Sequence, residues 1–155
     1  MAGRIDARLQ ELGITLPSPP SPVATYVPWV VTGKLVYISG NGPAIGGVLK
    51  HKGKVGRDVT LEQAREAARD TGLNLLGHLK NACSGDLDRV KRLVKVLGMV
   101  NAVPEFEDHP KVINGCSDLF HQVFGDAGKG ARSAVGMGSL PGSIPVEIEA
   151  IFELS

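Results

Sequence analysis

Two segments near the end of the chain, ARSAVGMGSLP (131–141) and IPVEIEAIFEL (144–154), are the most informative part of the sequence. Hydrophobic side chains occupy every second position of the later segment, namely Ile144, Val146, Ile148, Ala150, Phe152 and Leu154. From Val146 onward, the positions between them are Glu147, Glu149, Ile151 and Glu153. This alternation predicts a strand over 145–153 with one buried face. The earlier segment predicts a strand over 132–139, joined to the last one by LPGS.

An arginine opens the first of these strands and a glutamate lies on the second. Arg132 follows the glycine-rich link GDAGKG (125–130), and a guanidinium can hold a carboxylate through two parallel hydrogen bonds. Glu147, which we expect on a neighbouring strand, can take a proton from a water that attacks the bound molecule. The pair predicts hydrolysis of a small acidic metabolite. Two solvated charges on strand surfaces are the alternative interpretation.

Helical periodicity appears twice before these strands. Thr60 and Gln63 form a capping box, and an apolar stripe follows it at helical spacing: Leu61, Ala64, Ala68, Leu75, Leu79 and Ala82. A second helix is predicted to begin near Pro110 and to end at Gly125, since proline suits the first helical position. Its stripe consists of Ile113, Cys116, Phe120 and Phe124.

Three further segments predict strands. TYVPWVV (25–31) and KLVYISG (34–40) flank Thr32-Gly33 as a hairpin, and Pro28 places the first of them at an edge or a bulge. VKRLVKVLGMVNA (90–102) is β-branched and bounded by turn residues. The glycine-rich segment 41–56 predicts loops around one short strand. The element order predicts an α+β fold, with one mixed sheet and two helices on one face. Both sheet faces carry apolar groups, which favours an oligomer.

The N-terminal segment differs in composition from the rest. Residues 4–12 predict a short amphipathic helix, with Ile5, Leu9 and Leu12 on one side, and LPSPPSP (16–22) predicts an extended polyproline strap. We therefore divide the chain into residues 1–22, the helix and strap, and 23–155, the main domain. The start of the chain has no apolar stretch typical of a secretory signal.

Composition limits the classes of partner and cofactor. The 155 residues carry a formal net charge of +1 and only 5% aromatic side chains, so a nucleic-acid partner is not expected. No run of 18 apolar residues predicts a membrane span. The two cysteines form no CxxC pair, which fits a reduced, cytoplasmic setting. The four histidines, His51, His78, His109 and His121, show no ligand spacing, so no metal site is expected.

These motifs resemble the reactive-intermediate (imine/enamine) deaminase family, also known as YjgF-like or L-PSP endoribonuclease-like proteins. The resemblance covers most of 23–154 and depends on VATYVPW (23–29), Ile38-Ser39-Gly40, GKVGRDVTLEQAREAARDTGLNLL (53–76) and the two terminal segments. It implies a chorismate-mutase-like fold, a homotrimer whose sheets form a central barrel, and sites in clefts between subunits. It also implies hydrolysis of 2-imino or 2-enamino acids to 2-keto acids and ammonia, with no cofactor or metal.

The resemblance also implies roles for individual residues. Arg132 corresponds to the carboxylate-binding arginine, and Glu147 corresponds to the acidic residue that positions or activates water. Substrate-binding positions are Tyr26, Ser39 and Gly40.

Two positions in the second helix remain as alternatives for a family asparagine, Asn114 and Asp118, because the loop before that helix is longer than usual. Ala134 stands where the family often has a cysteine, so the resemblance is to a divergent subgroup.

Three functions are compatible with this sequence. The first is an imine/enamine deaminase that acts as a hydrolase. The second is a trimeric protein that binds a small carboxylate metabolite without turning it over. The third is an endoribonuclease, which the near-neutral charge and the scarcity of aromatic residues disfavour. The sequence does not distinguish among imines or specify the role of residues 1–22.

Overall fold

The alternating segment at the end of the chain becomes the central strand of a five-stranded sheet. In the computed structural model, which describes residues 3–155, the strands are β1 (Trp29–Thr32), β2 (Leu35–Asn41), β3 (Val90–Asn101), β4 (Ala131–Met137) and β5 (Val146–Leu154). Their spatial order is β1-β2-β5-β3-β4. The β3–β4 pair is parallel and the other neighbouring pairs are antiparallel. The predicted α+β class with one mixed sheet is confirmed.

Three α-helices accompany the sheet in the described part of the chain: α1 (Arg4–Glu11), α2 (Leu61–Ala82) and α3 (His109–Phe124). The predicted capping box is present, since Thr60 accepts from the Gln63 amide and the Gln63 side chain accepts from the Thr60 amide. Helix α2 covers β2 and β5, and α3 covers β3 and β4. Their apolar stripes form the core together with the inward face of β5. Both long helices therefore lie on one face of the sheet.

The other face of the sheet is open and largely apolar. Val30 is 52% exposed, Tyr37 43% and Val135 39%. Leu97 and Ile151 lie between them on the central strands. The expectation that both faces carry apolar groups is thus confirmed.

The N-terminal segment packs on the main domain. Ile5 and Leu9 of α1 are buried in the common core. The Asp88 carboxylate accepts hydrogen bonds of 2.8 Å from the amides of Arg4 and Ile5, and so caps α1 from a distant loop. The strap over 16–22 contains no helix or strand, as predicted, and runs across α2 near Gly77. Residues 1 and 2 of the predicted N-terminal segment lie outside the described residues.

Several predicted boundaries need correction. Strand β1 begins only at Trp29, because Pro28 has no amide hydrogen for the ladder. The hairpin turn is Gly33-Lys34, with Gly33 at a positive φ of 56°, whereas Thr32 pairs with Leu35. The short strand expected within 41–56 is reduced to isolated bridges. No helix in residues 3–155 is long and apolar enough to cross a membrane.

Candidate functional site

Arg132 lies on β4, the edge strand next to α3, and its guanidinium is held by that helix. Its Nη1 donates to the Asn114 Oδ1 at 2.8 Å and to the Ser117 Oγ at 3.2 Å. Both partners are neutral, and among residues 3–155 no carboxylate forms an ion pair with Arg132. The guanidinium is therefore oriented but its charge is not neutralised, which is the state expected of an anion-binding arginine.

A cavity of about 230 Å³ adjoins this arginine. It is lined by Leu93, Val96, Ser117, Asp118, His121, Gly128, Lys129, Gly130 and Arg132. Of the two alternative helix positions, Asn114 contacts Arg132, whereas Asp118 pairs with Arg65 at 3.3 Å. The structure thus brings Asn114 into contact with Arg132, whereas Asp118 lines the same cavity but pairs with Arg65.

Glu147 occupies a second cavity, of about 220 Å³, at the end of β2. Tyr26, Ser39, Gly40 and Glu147 all line it, together with residues of the proline-rich strap. The predicted substrate-binding residues other than Asn114 and Arg132 are therefore gathered in one place.

The local backbone explains how these groups come together. The β2–β5 register shifts between Ile38 and Asn41, so Ser39 and Gly40 sit in an irregular part of the ladder. The Glu147 carboxyl carbon lies 3.1 Å from the place a Gly40 side chain would occupy, so a larger residue at position 40 would require the Glu147 side chain to move. The Ser39 hydroxyl donates to the Val27 carbonyl at 2.7 Å and ties the Tyr26 segment to β2.

The electrostatics of Glu147 differ from those of a surface carboxylate. Partial burial raises its pKa, and the neighbouring Glu149 charge raises it further. A carboxyl group whose pKa moves toward neutrality is better suited to accept and return a proton than an ordinary glutamate.

The expectation that Glu147 lies on a strand next to that of Arg132 is wrong. Strand β3 separates β4 from β5, because β4 joins the sheet by parallel pairing with β3. Arg132 is in register with the buried Val96 on the helix-covered face, whereas Glu147 points to the open face. With strands 4.8 Å apart and 3.3 Å per residue, their Cα atoms are about 14 Å apart in the plane of the sheet. One chain therefore contains two half-sites, which we call the arginine cavity and the glutamate cavity.

Sequence reasoning did not single out His78, which the structure places in the glutamate cavity. The sequence feature that could have identified His78 is its place on the apolar face of α2, one turn after Asn74. Polar side chains are unusual on a buried helix face. Ala134, which stands where the family often has a cysteine, packs against the core. Among residues 3–155, no group of three or more histidine, cysteine or acidic side chains is arranged to hold a metal ion.

Comparison with known proteins gives the family. Residues 6–144 match the family model described as "YjgF/chorismate_mutase-like, putative endoribonuclease". The chain belongs to this family. Among its relatives is Protein TCP17 of Trypanosoma cruzi. The two sequences are 41% identical, and the match covers 99% of this chain and 96% of TCP17.

Two solved structures are similar over nearly the whole chain. The protein Atu1372 of Agrobacterium tumefaciens, of unknown function, is 45% identical with a TM-score of 0.90, covering 97% of this chain and 92% of that one. A Shewanella oneidensis protein named as an endoribonuclease candidate is 30% identical with a TM-score of 0.93, covering 98% of this chain and 100% of that one. The chorismate-mutase-like fold expected from the motifs is thereby confirmed.

Proposed function

We propose that this YjgF-like protein hydrolyses small 2-imino or 2-enamino acids to 2-keto acids and ammonia. The observation that carries the proposal is the guanidinium of Arg132, which Asn114 and Ser117 orient beside a cavity while no described carboxylate neutralises it. An anionic group of a small molecule is the missing counter-charge. The α-carboxylate of an imino acid matches the fork of an arginine, which can bind both oxygens at once.

Binding the carboxylate also places the reacting carbon. In a 2-imino acid the electrophilic imine carbon is bonded directly to the carboxylate carbon. A guanidinium that holds the carboxylate therefore also fixes the position of the imine carbon. Such positioning converts the attack of water into an effectively intramolecular event. Arg132 is therefore the substrate-orienting residue, and Asn114 acts through it as a positioning residue.

Glu147 moves the protons. Starting from the protonated imine, a water oxygen forms a bond to the imine carbon while the Glu147 carboxylate takes one proton from that water, which yields a carbinolamine. Glu147 returns this proton to the nitrogen, the C–N bond breaks, and its electron pair leaves with ammonia as the hydroxyl oxygen forms the keto C=O bond. The hydroxyl proton passes through Glu147 to ammonia. The net reaction is protonated imine plus water to keto acid plus ammonium, and the raised pKa of Glu147 suits both proton steps.

Because Arg132 and Glu147 lie on different faces of one sheet, the reaction requires two copies of the chain. We place the arginine cavity of one copy against the glutamate cavity of another, in the homotrimer with a central barrel that the family resemblance implies. The open apolar face, with Val30, Tyr37 and Val135 exposed, supports association, since patches of this kind usually mark interfaces. We place the protein in the cytoplasm, a reducing compartment in which its two buried cysteines stay free thiols.

The proposal is tested with 2-iminobutanoate generated in situ by an amino acid oxidase, with loss of the imine followed over time. Wild type accelerates the loss, and Arg132→Ala abolishes the acceleration. Arg57→Ala is the matched control, because Arg57 is also exposed but pairs with Asp58 away from both cavities, and it retains full activity. A wild-type protein that leaves the imine lifetime unchanged refutes the deaminase proposal.

The separation of Arg132 from Glu147 within one chain favours a second candidate, a protein that binds a small carboxylate without turning it over. In that case 2-oxobutanoate raises the melting temperature of wild type but not of Arg132→Ala, and no imine is consumed. Ribonuclease activity that persists in Arg132→Ala through further purification steps supports the endoribonuclease name that relatives carry instead.

A further inference from the structure

A histidine of α2 lies deep in the glutamate cavity. His78 is only 4% exposed and lines this cavity together with Glu147, Ser39 and Tyr26. Its ring packs against Trp29, with 6.0 Å between the ring centroids. The imidazole is thus fixed in place by the core on one side and adjoins the cavity on the other.

This histidine has no hydrogen-bond partner among residues 3–155. Its Nδ1 is fully buried and unpaired, and so is the Oδ1 of Asn74 one helical turn earlier. The Nδ2 of Asn74 is used, since it donates to the carbonyls of Gly42 and Ala44 at 3.1 and 2.8 Å. A buried polar atom without a partner costs about 1–3 kcal/mol, so native structures rarely contain one. The Nδ1 of His78 is sealed from the cavity as well, so a ligand can pair only with the Nε2, which is not sealed and also lacks a partner in the described part of the chain.

The size of the cavity means that one small molecule reaches both ionisable groups. Its volume is about 220 Å³, which is room for a small metabolite. A metabolite that fills this space contacts His78 as well as Glu147, because both line it.

The charge state of the cavity defines the chemistry of the group that fits. Burial lowers the pKa of His78, so the ring is neutral at pH 7 and offers one donor and one acceptor. Glu147, with Glu149 near it, disfavours a second acidic group on the ligand. An uncharged amide or hydroxyl can pair with the Nε2, whereas an aliphatic group leaves it without a partner.

We infer that His78 is a specificity-determining residue, and that the preferred substrates are imino acids with an uncharged hydrogen-bonding side chain rather than an aliphatic one. This inference rests on the proposed function and narrows its substrate class. A site built to pair with a polar group rejects an apolar isostere strongly, since the polar atoms of the protein then stay buried without partners.

The test compares the imines of asparagine and leucine, generated in situ by an amino acid oxidase, because the two side chains have nearly the same shape. Wild type shows a kcat/KM at least about tenfold higher for the asparagine imine. His78→Phe keeps an aromatic ring but removes both nitrogens, and it brings the kcat/KM ratio of the two imines close to one. His78→Gln keeps a donor and an acceptor and retains most of the preference.

The outcomes separate this inference from the proposed function. If wild type hydrolyses both imines equally, or prefers the leucine imine, the inference is overturned while the deaminase proposal stands, and this holds even when His78→Phe does not fold. If wild type hydrolyses neither, the deaminase proposal fails, and the two product keto acids decide the inference through thermal melting. Greater stabilisation by 2-oxosuccinamate than by 4-methyl-2-oxopentanoate supports it, and equal stabilisation overturns it.

Discussion

Gly115 of α3 lies where this helix crosses α2, and its replacement by alanine gives the most direct test of the packing that supports the arginine cavity. A Cβ at position 115 overlaps the carbonyl oxygen of Arg65. It also lies 3.0 Å from the Arg65 carbonyl carbon and 3.1 Å from the Arg69 amide nitrogen. All three atoms belong to the α2 main chain, so no side chain can rotate away, and the two helices must separate by about 1 Å to restore ordinary contact.

The expected destabilisation follows from two opposing terms. Overpacking a buried site costs about 1–3 kcal/mol, and contact with main chain places this substitution at the upper end. Alanine gains about 1 kcal/mol over glycine in a helix. The net loss is about 2 kcal/mol, which for a chain of this length lowers the melting temperature by about 4–8 °C.

Urea unfolding and thermal melting measure this loss, and keto-acid binding reports its effect on the site. Because Asn114 precedes Gly115, displacement of α3 lengthens the 2.8 Å bond to Arg132 and weakens binding of 2-oxobutanoate. The matched control is Gly77→Ala on α2. Its Cβ meets the Pro17 carbonyl oxygen at 2.9 Å and Pro19 at 3.1 Å, both in the strap, so it does not touch the main chain of a second helix.

The control is therefore expected to lose less stability than Gly115→Ala, because its Cβ makes a tight contact rather than an overlap. If Gly115→Ala is as stable as wild type, the helices do not cross as closely as described, and the support assigned to Arg132 is wrong.

Three further predictions address the cap, the acid group and the open face. Thr60→Ala removes the capping box and lowers the unfolding free energy by about 1 kcal/mol in urea titrations, and an unchanged midpoint would show that the cap contributes nothing. Glu147→Gln melts higher than wild type at pH 7. Because the pKa of Glu147 is raised in the folded state, wild type loses stability as the pH rises from about 4.3, the ordinary value, through the folded-state pKa. The stability advantage of the glutamine variant therefore grows over that pH interval. An advantage that instead grows toward acid pH contradicts the assigned shift. Ile151→Lys places a charge in the middle of the open face and lowers the mass measured by light scattering to that of one chain, while a variant that keeps the wild-type mass argues against association through this face.

The local sequence was sufficient to predict most elements of the fold. The capping box at Thr60 and Gln63 is recognisable because its two hydrogen bonds join residues three positions apart. The alternation in β5 is recognisable because successive side chains of a strand point to opposite faces. Both are short-range regularities, so they survive in the sequence without knowledge of neighbours. The start of β1 was predicted less accurately, since Pro28 delays pairing until Trp29.

The composition of the site depended on interactions that no local pattern records. Residues 132 and 147 are 15 positions apart, yet their separation is governed by β3, which comes from 90–101 and inserts between their strands. His78 joins Glu147 because α2 packs over the end of β2, where the register shift at Ser39 and Gly40 opens a cavity. Periodicity in a sequence tells which side of an element is buried, whereas strand order and helix docking depend on how distant segments bury their apolar faces against each other.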